Sequence, residues 1–149
     1  ISREPGNDRF TETMSEDRVV EKQKYLSYIR NHYHYFGFGL WTVVRRSDGG
    51  IIGRCGLMPC FEEVADPDAL EIGYLISTGE RGKGYAREAC RAILDYAGDM
   101  LSCGMIIARI HAENAASVCL AERLGFIRSG ENQWQLQLLA ADRFEDGQE

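Results

Sequence analysis

Residues 71–86, with the sequence EIGYLISTGERGKGYA, give the strongest indication of the fold. Its first half is mostly apolar, and with the preceding leucine it predicts a central strand over residues 70–77 that is covered on both faces. Its second half is a basic, glycine-rich turn. Small and apolar residues then recur every three or four positions, which predicts an amphipathic helix over residues 85–101. The stripe that this helix should bury consists of Ala86, Ala89, Cys90, Ile93, Leu94 and Ala97.

The turn between this strand and this helix has the composition of an anion-binding site. Gly82 and Gly84 remove side chains where the helix begins, so several backbone N–H groups can converge on an anion at the positive end of the helix dipole. Arg81 and Lys83 add positive charge at the same place. The turn matches neither GxxxxGK[ST] nor GxGxxG followed by an acidic residue. A phosphorylated ligand of another kind is indicated, and a plain solvated turn is the alternative.

The preceding sequence predicts a helix and a hairpin. The helix begins at Ser15, whose hydroxyl is the expected N-cap, and acidic residues follow in the first turn. Residues 40–45 and residues 51–58 are expected to be two strands. Residues 47–50, SDGG, suit the turn between them, because a tight hairpin requires left-handed backbone conformations.

The following sequence predicts a strand over residues 105–112 and a short helix. The helix is capped by Asn114 and stopped by Gly125. Residues 126–129 and 134–139 predict a final hairpin. Together, these elements predict an α+β fold in which a mixed sheet is flanked by helices.

The bulk composition is that of one globular domain. The chain has 149 residues, of which 44% are hydrophobic and 27% charged, so we expect a single domain over residues 1–149 with flexible or irregular ends at residues 1–14 and 142–149. A net charge of −6 argues against a nucleic-acid partner. No apolar run approaches the roughly 20 residues that cross a bilayer, and no secretory leader is visible, so neither a membrane nor secretion is expected.

The five cysteines favour a reducing compartment. Cys55, Cys60, Cys90, Cys103 and Cys119 are odd in number and form no CxxC pair. We therefore expect reduced thiols in a cytoplasmic protein. No metal site is expected, because the histidines and cysteines lack ligand spacing.

Two motifs resemble those of a known family. The run RGKGYA at residues 81–86 is similar to the R/Q-x-x-G-x-G/A motif of the GNAT superfamily of acyl-CoA N-acetyltransferases, and it follows a central strand as in that family. Residues 114–126, NAASVCLAERLGF, resemble the N-x-x-S…LGF segment of the branch that contains the ribosomal-protein alanine and serine N-acetyltransferases. The resemblance, which runs from about residue 13 to residue 126, implies a mostly antiparallel mixed sheet with helices on both faces. Its fourth and fifth strands would separate to hold a pantetheine arm.

The resemblance implies acetyl-CoA as cofactor and CoA as product. The cofactor-binding residues that it implies are Tyr74, Leu75, Ile76, Ser77, Arg81, Gly82, Lys83, Gly84, Tyr85, Ala86 and Asn114. The first four would offer backbone hydrogen bonds to the pantetheine arm, and the next six would hold the pyrophosphate. Asn114 would reach the pantetheine amide, although a helix cap is an equally good role for it.

The implied reaction is direct attack of a primary amine on acetyl-CoA in a ternary complex. The amine would belong to a protein N-terminus or a small molecule. Glu71 is the first candidate for the general base, with an arginine-paired structural carboxylate as the alternative, and His111 is the second candidate. Ser117 would protonate the leaving thiolate, unless its hydroxyl only bonds backbone. Many family members carry a tyrosine acid where this chain has Ala121.

Three further points stay open at the level of sequence. The missing tyrosine favours, as an alternative, an inactive CoA-binding sensor or structural module, and an anion-binding domain unrelated to CoA is the third hypothesis. Tyr33, Tyr35 and Trp41 would line an acceptor pocket or belong to the core. Family members have a strand and a helix before the segment that begins at Ser15, where only 14 residues remain. Either this start is lost or shortened, or a partner chain, as in a homodimer, covers the sheet edge.

Overall fold

The computed structural model describes residues 15–61 and 66–138. The strands are β1 (Leu40–Val44), β2 (Ile51–Pro59), β3 (Leu70–Ile76), β4 (Met105–Arg109), β5 (Ile127–Arg128) and β6 (Gln133–Gln137). The helices are α1 (Arg18–Tyr28), α2 (His34–Phe36), α3 (Tyr85–Leu101) and α4 (Ala115–Arg123), with a π-helix (Ile29–Tyr33) between α1 and α2 and a 3₁₀ turn (Thr78–Glu80) before α3. Among these helices of the described residues, none has the length and apolarity needed to span a membrane.

The strands form one sheet in the order β1-β2-β3-β4-β6-β5. β3 and β4 are parallel, whereas β1 with β2, β4 with β6 and β5 with β6 are antiparallel. The predicted α+β fold with a mixed, mostly antiparallel sheet is confirmed, as are the two hairpins. The chain divides into two compact units, Ile1–Met58 with Gly73–Cys90, and Pro59–Ile72 with Arg91–Glu149.

In the first unit, β1 and β2 approach each other closely at a glycine. Gly56 lies opposite Leu40 in the ladder. A Cβ atom at Gly56 would overlap the carbonyl oxygen of Gly39 and would lie 2.8 Å from the Cα atom of Leu40. Only a residue without a side chain fits this crossing.

The π-helix directs two tyrosines onto the backbone of one residue, Leu40, at the start of β1. The Tyr33 hydroxyl donates a hydrogen bond to the Leu40 carbonyl oxygen at 2.7 Å, and the Tyr28 hydroxyl accepts one from the Leu40 amide at 2.9 Å. In an α-helix, residues five apart would lie about 140° apart around the axis. The wider turn of the π-helix brings both hydroxyls to the same side.

Two buried thiols face each other between β2 and α3. The Sγ atoms of Cys55 and Cys90 lie 3.8 Å apart, and the two residues are 2% and 0% exposed. The hydrogen bond with Cys55, together with burial, raises the pKa of the Cys90 thiol far above its ordinary value. Because the thiolate is the reactive form, this pair is inert while the unit is folded.

We expect alkylating reagents to separate the cysteines by reactivity. Cys119 is exposed and should react first, whereas Cys55 and Cys90 should react at least about 1,000-fold more slowly, because they are reached only through unfolding of several kcal/mol. Mass spectrometry of timed iodoacetamide reactions measures the rates. In denaturant all sites should react alike; fast labelling of Cys90 in the native protein would contradict the packing described above.

The second unit is organised around β4, whose first four residues are buried. Ala69, Met105 and Ile107 form one apolar cluster there. β4 pairs with β6 along its whole length, with Ile106 opposite Leu136. β4 is therefore the most deeply buried strand of this unit.

Several sequence-based boundaries are wrong, each for a local reason. The N-cap of α1 is Asp17, whose carboxylate accepts from the Val19 amide at 2.8 Å, whereas the Ser15 hydroxyl accepts from the Asp17 amide before the helix begins. β4 ends at Arg109, so His111 lies in an exposed turn instead of at a strand end. α3 has the predicted bounds. The predicted irregular ends, residues 1–14 and 142–149, lie outside the described residues.

Candidate functional site

The turn between β3 and α3 presents open backbone. Gly82 and Gly84 have φ angles of 74° and 88°, a region that favours glycine, and a Cβ atom at either position would have no neighbour within 4 Å. The Gly84 carbonyl accepts the hydrogen bond of the Glu88 amide at 3.0 Å, and α3 begins at Tyr85. The N–H groups of this first turn have no partner within the helix, and the dipole of 17 residues makes the position electropositive.

Two cations flank these glycines. The Arg81 Nε atom donates to the Ile76 carbonyl oxygen at 3.2 Å, which holds the arginine stem against the end of β3. The Lys83 Nζ atom lies 3.0 Å from Glu80 Oε2, and the lysine side chain is half exposed. The predicted basic glycine turn is thus assembled next to a helix N-terminus in one compact unit.

Glu80 connects this turn to the β1–β2 hairpin. Its Oε1 atom lies 2.8 Å from Arg45 Nη1, and the same guanidinium holds Asp48 through Nε at 2.9 Å and Nη2 at 2.6 Å. The hydrogen bond from Arg45 lowers the pKa of Asp48 to about 2 and, followed by that from Lys83, also lowers the pKa of Glu80. These carboxylates therefore stabilise the fold above their ordinary pKa, and the contribution is lost as the pH falls through the lowered values.

The end of β3 uses part of its backbone within the sheet. The Ser77 amide donates to the Ile52 carbonyl at 2.8 Å, and a Cβ atom at Gly53 would overlap the Leu75 carbonyl oxygen. Leu75 and Ser77 therefore direct their backbone groups toward β2, and Tyr74 and Ile76 direct theirs to the opposite side, because these directions alternate along a strand. The backbone contacts with the pantetheine arm stay a prediction. Tyr74 and Ile76 direct their backbone groups away from β2, which is the direction that such contacts require.

In the second unit, Glu71 is paired with an arginine. Its Oε2 atom lies 3.0 Å from Arg109 Nε, and both side chains are largely covered. A second guanidinium nitrogen, Nη2 of Arg109, donates toward the Cys60 Sγ atom at 3.8 Å. The ion pair given above as the alternative role of Glu71 is present; a carboxylate held in this way can also accept a proton, so the base stays a prediction.

The start of α4 places Asn114 and Ser117 together. The Asn114 side chain caps the helix by accepting from the Ser117 amide at 3.3 Å. The cap is confirmed, whereas contact of Asn114 with pantetheine and donation by the Ser117 hydroxyl stay predictions. Ala121 is 3% exposed, so a small buried residue occupies the position at which many family members carry tyrosine. His111 lies before this helix, where its Nδ1 atom accepts from the Glu113 amide.

One face of α1, the π-helix and α2 lines a wide, solvent-open cavity of about 850 Å³. Of the three aromatic residues predicted for an acceptor pocket, Tyr35 lines this cavity, and Tyr33 and Trp41 pack edge to face. His32 was not recognised from the sequence; its ring stacks on Tyr28, and burial lowers its pKa. Its spacing of four from both Tyr28 and Phe36 was the available signal.

Arg45, Glu80 and Arg109 were also not recognised from the sequence. Arg45 and Asp48 are three residues apart and could have been paired from the turn sequence. Arg45 and Glu80 are 35 residues apart, and nothing in their local sequence indicates the contact. Among the described residues, no group of three or more His, Cys, Asp or Glu side chains is arranged to hold a metal ion.

Comparison with known proteins gives the family. The family model described as the acetyltransferase (GNAT) domain matches residues 6–127. The chain is 36% identical to the Bacillus subtilis protein YkkB over 90 residues, 60% of this chain and 51% of that protein. It is 30% identical to the probable N-acetyltransferase YjcK of B. subtilis over 125 residues, 84% of this chain and 64% of that one. The chain spans about half the length of most of the curated relatives that it matches.

Solved structures agree on the fold. An acetyltransferase from Agrobacterium tumefaciens superposes with a TM-score of 0.64 at 25% identity, over 82% of this chain and 73% of that one. The ribosomal-protein-S5-alanine acetyltransferase from Vibrio fischeri gives 0.70 at 19%, covering 89% and 79%. The putative acetyltransferase yncA from Salmonella typhimurium, solved with acetyl-CoA, gives 0.67 at 19%, covering 92% and 84%.

This chain belongs to the GNAT acetyltransferase family. The superfamily predicted from residues 81–86 and 114–126 is confirmed. The structural neighbours of this chain include a member of the predicted ribosomal-protein alanine branch.

Proposed function

We propose that this chain is an acyltransferase that moves an acetyl group from acetyl-CoA to a primary amine. The observation that carries the proposal is the turn at residues 81–84, where two open left-handed glycines and two cations precede α3. Membership in the GNAT family supports the same reaction.

The turn fits the pyrophosphate of CoA in chemistry and in shape. Open backbone at Gly82 and Gly84 lets N–H groups approach a diphosphate without side chains in between, and Arg81 and Lys83 neutralise its charge. Tyr85 and Ala86 would close the site from the first turn of α3. For the pantetheine arm we propose the backbone of Tyr74 and Ile76 and the side chain of Asn114, because the backbone groups of Leu75 and Ser77 face β2.

Catalysis in this proposal is mainly placement. Acetyl-CoA supplies an activated thioester; the C–N bond forms as the C–S bond breaks. Holding the neutral amine against it provides several kcal/mol through effective molarity. Glu71 takes the proton from the amine, directly or through water, and Ser117 donates one to the leaving thiolate.

The acceptor is proposed to be a protein N-terminus or a small-molecule amine. The V. fischeri neighbour acts, by its name, on a ribosomal protein, which supports the first class. Tyr35 and the aromatic residues around His32 line the cavity beside α1, and their side chains suit the apolar part of an acceptor.

A reducing compartment such as the cytoplasm is proposed, since all five cysteines are free thiols. A homodimer is also proposed, and sedimentation would test it.

The alternative is a CoA-binding sensor without turnover, which the buried Ala121 favours because the usual tyrosine acid is absent. Thiol release from acetyl-CoA, measured with a panel of amines, N-terminal peptides and aminoglycosides, separates the two. Release that depends on an acceptor supports the enzyme and identifies the acceptor class. CoA binding without release on any acceptor supports the sensor, and absence of CoA binding refutes both.

We expect Glu71→Gln to lower kcat about 100-fold, because a positioned general base contributes about 10²–10⁴ in rate. CoA affinity should be unchanged, because Glu71 lies outside the glycine turn. Glu122→Gln, on the exposed face of α4, is the matched control and should behave as wild type. A purely structural Glu71–Arg109 pair predicts a lower melting temperature with kcat unchanged, and that result would refute the role of Glu71 as base.

A further inference from the structure

The glycine turn carries little support of its own. A Cβ atom at Gly82 or Gly84 would have no neighbour within 4 Å, and glycine loses more conformational freedom on ordering than any other residue. A ligand that binds such a turn must pay for fixing it unless the protein has already done so. The contacts that hold the flanks of the turn therefore decide how well it binds.

One carboxylate joins both flanks of the turn to the hairpin. Glu80 lies before Gly82 and is only 19% exposed; its Oε2 atom holds Lys83 on the other side of that glycine, and its Oε1 atom holds Arg45. The Glu80 amide also bonds the Ser77 carbonyl at 2.9 Å. Glu80 thus links the residues on either side of Gly82 to the Arg45 guanidinium.

The Arg45 guanidinium is itself held in a fixed position. The Arg45 amide bonds the Gly50 carbonyl at 2.8 Å, its carbonyl accepts from the Gly49 amide at 2.9 Å, and Asp48 holds two of its three guanidinium nitrogens. The third nitrogen is the one that reaches Glu80. The planar guanidinium therefore transmits the fixed geometry of the hairpin to the turn.

We propose that Arg45 and Glu80 are positioning residues that preorganise the glycine turn for the cofactor's pyrophosphate. The inference rests on the proposed function, because it deepens the account of that site. Neither residue needs to touch the cofactor. Their effect is on the affinity for CoA, not on the acetyl-transfer step.

The test is a double-mutant cycle with Arg45→Met and Glu80→Gln. Preorganisation predicts that each variant weakens CoA binding about 10-fold, or about 1.4 kcal/mol, and that the double variant is no worse than either. A simple effect of charge near an anion predicts opposite signs: Glu80→Gln should tighten binding, and the double variant should return to wild type. Arg46→Met, the exposed neighbouring cation, is the control and should bind as wild type.

Two readouts keep the outcome decisive. In steady-state kinetics, KM for acetyl-CoA should rise about 10-fold with kcat within about twofold. In hydrogen exchange of the ligand-free protein, the amides at residues 82–84 should exchange faster in both single variants. Unchanged Kd and unchanged exchange would overturn the inference while leaving the proposed function intact. If wild-type protein binds no CoA, the proposed function fails, and the exchange experiment alone decides whether the pair orders the turn.

Discussion

Replacing Gly84 with tryptophan is expected to lower the affinity for CoA at least about 100-fold, equal to about 2.8 kcal/mol. The backbone at Gly84 has a φ of 88°, and the space beside it is open, so a tryptophan ring would occupy the volume through which a pyrophosphate approaches the N–H groups. The adverse φ adds a backbone cost of about 1–2 kcal/mol for any side chain. Calorimetric titration with CoA measures the loss, and acetyl transfer should disappear with it.

Gly37→Trp is the matched control for backbone strain. Gly37 has a φ of 75° with nothing within 4 Å, but it ends α2, away from the glycine turn in sequence. It should lose similar stability on thermal melting and keep wild-type affinity for CoA. If Gly84→Trp binds CoA as wild type does, the pyrophosphate does not bind at the start of α3.

Gly56→Ala is expected to lower the free energy of unfolding by about 3 kcal/mol or more, the upper range for overpacking. The new methyl group would overlap the Gly39 carbonyl oxygen, and backbone cannot move aside as the tip of a side chain can. The pairing of β1 with β2 would have to open at Leu40. Urea denaturation followed by circular dichroism measures the loss.

The same replacement of glycine by alanine is expected to have the opposite effect on stability at Gly98. Gly98 lies inside α3, and a Cβ atom there would meet nothing within 4 Å. Its replacement should therefore raise the free energy of unfolding by about 0.5–1 kcal/mol. Equal stability of the two variants would show that β1 and β2 do not cross as closely as described.

The sequence predicted those parts of the fold that local physics decides. The bounds of α3 follow from its apolar spacing, and the β1–β2 hairpin follows from its turn, because both depend on neighbours along the chain. Asn114 was recognised as a cap for the same reason. The glycine turn at residues 81–84 was recognised because its chemistry is contained in consecutive residues.

What the sequence did not predict depends on distant contacts. The pairing of Arg45 with Glu80 and of Glu71 with Arg109 is decided by how strands are placed next to each other. The early end of β4 has a similar origin: residues 105–112 have strand composition throughout, but the ladder with β6 stops at Arg109. Composition alone cannot locate where a partner strand ends.

The π-helix has a consequence for how this segment can vary among relatives. Tyr28 and Tyr33 are five residues apart and both reach the backbone of Leu40 only because the turn between them contains an additional residue. Loss of one residue from this turn would restore α-helical geometry and place the two tyrosines four apart, again on one side. The segment can therefore absorb a one-residue deletion without changing where β1 begins, and alignments of this family should permit a gap at residues 29–32.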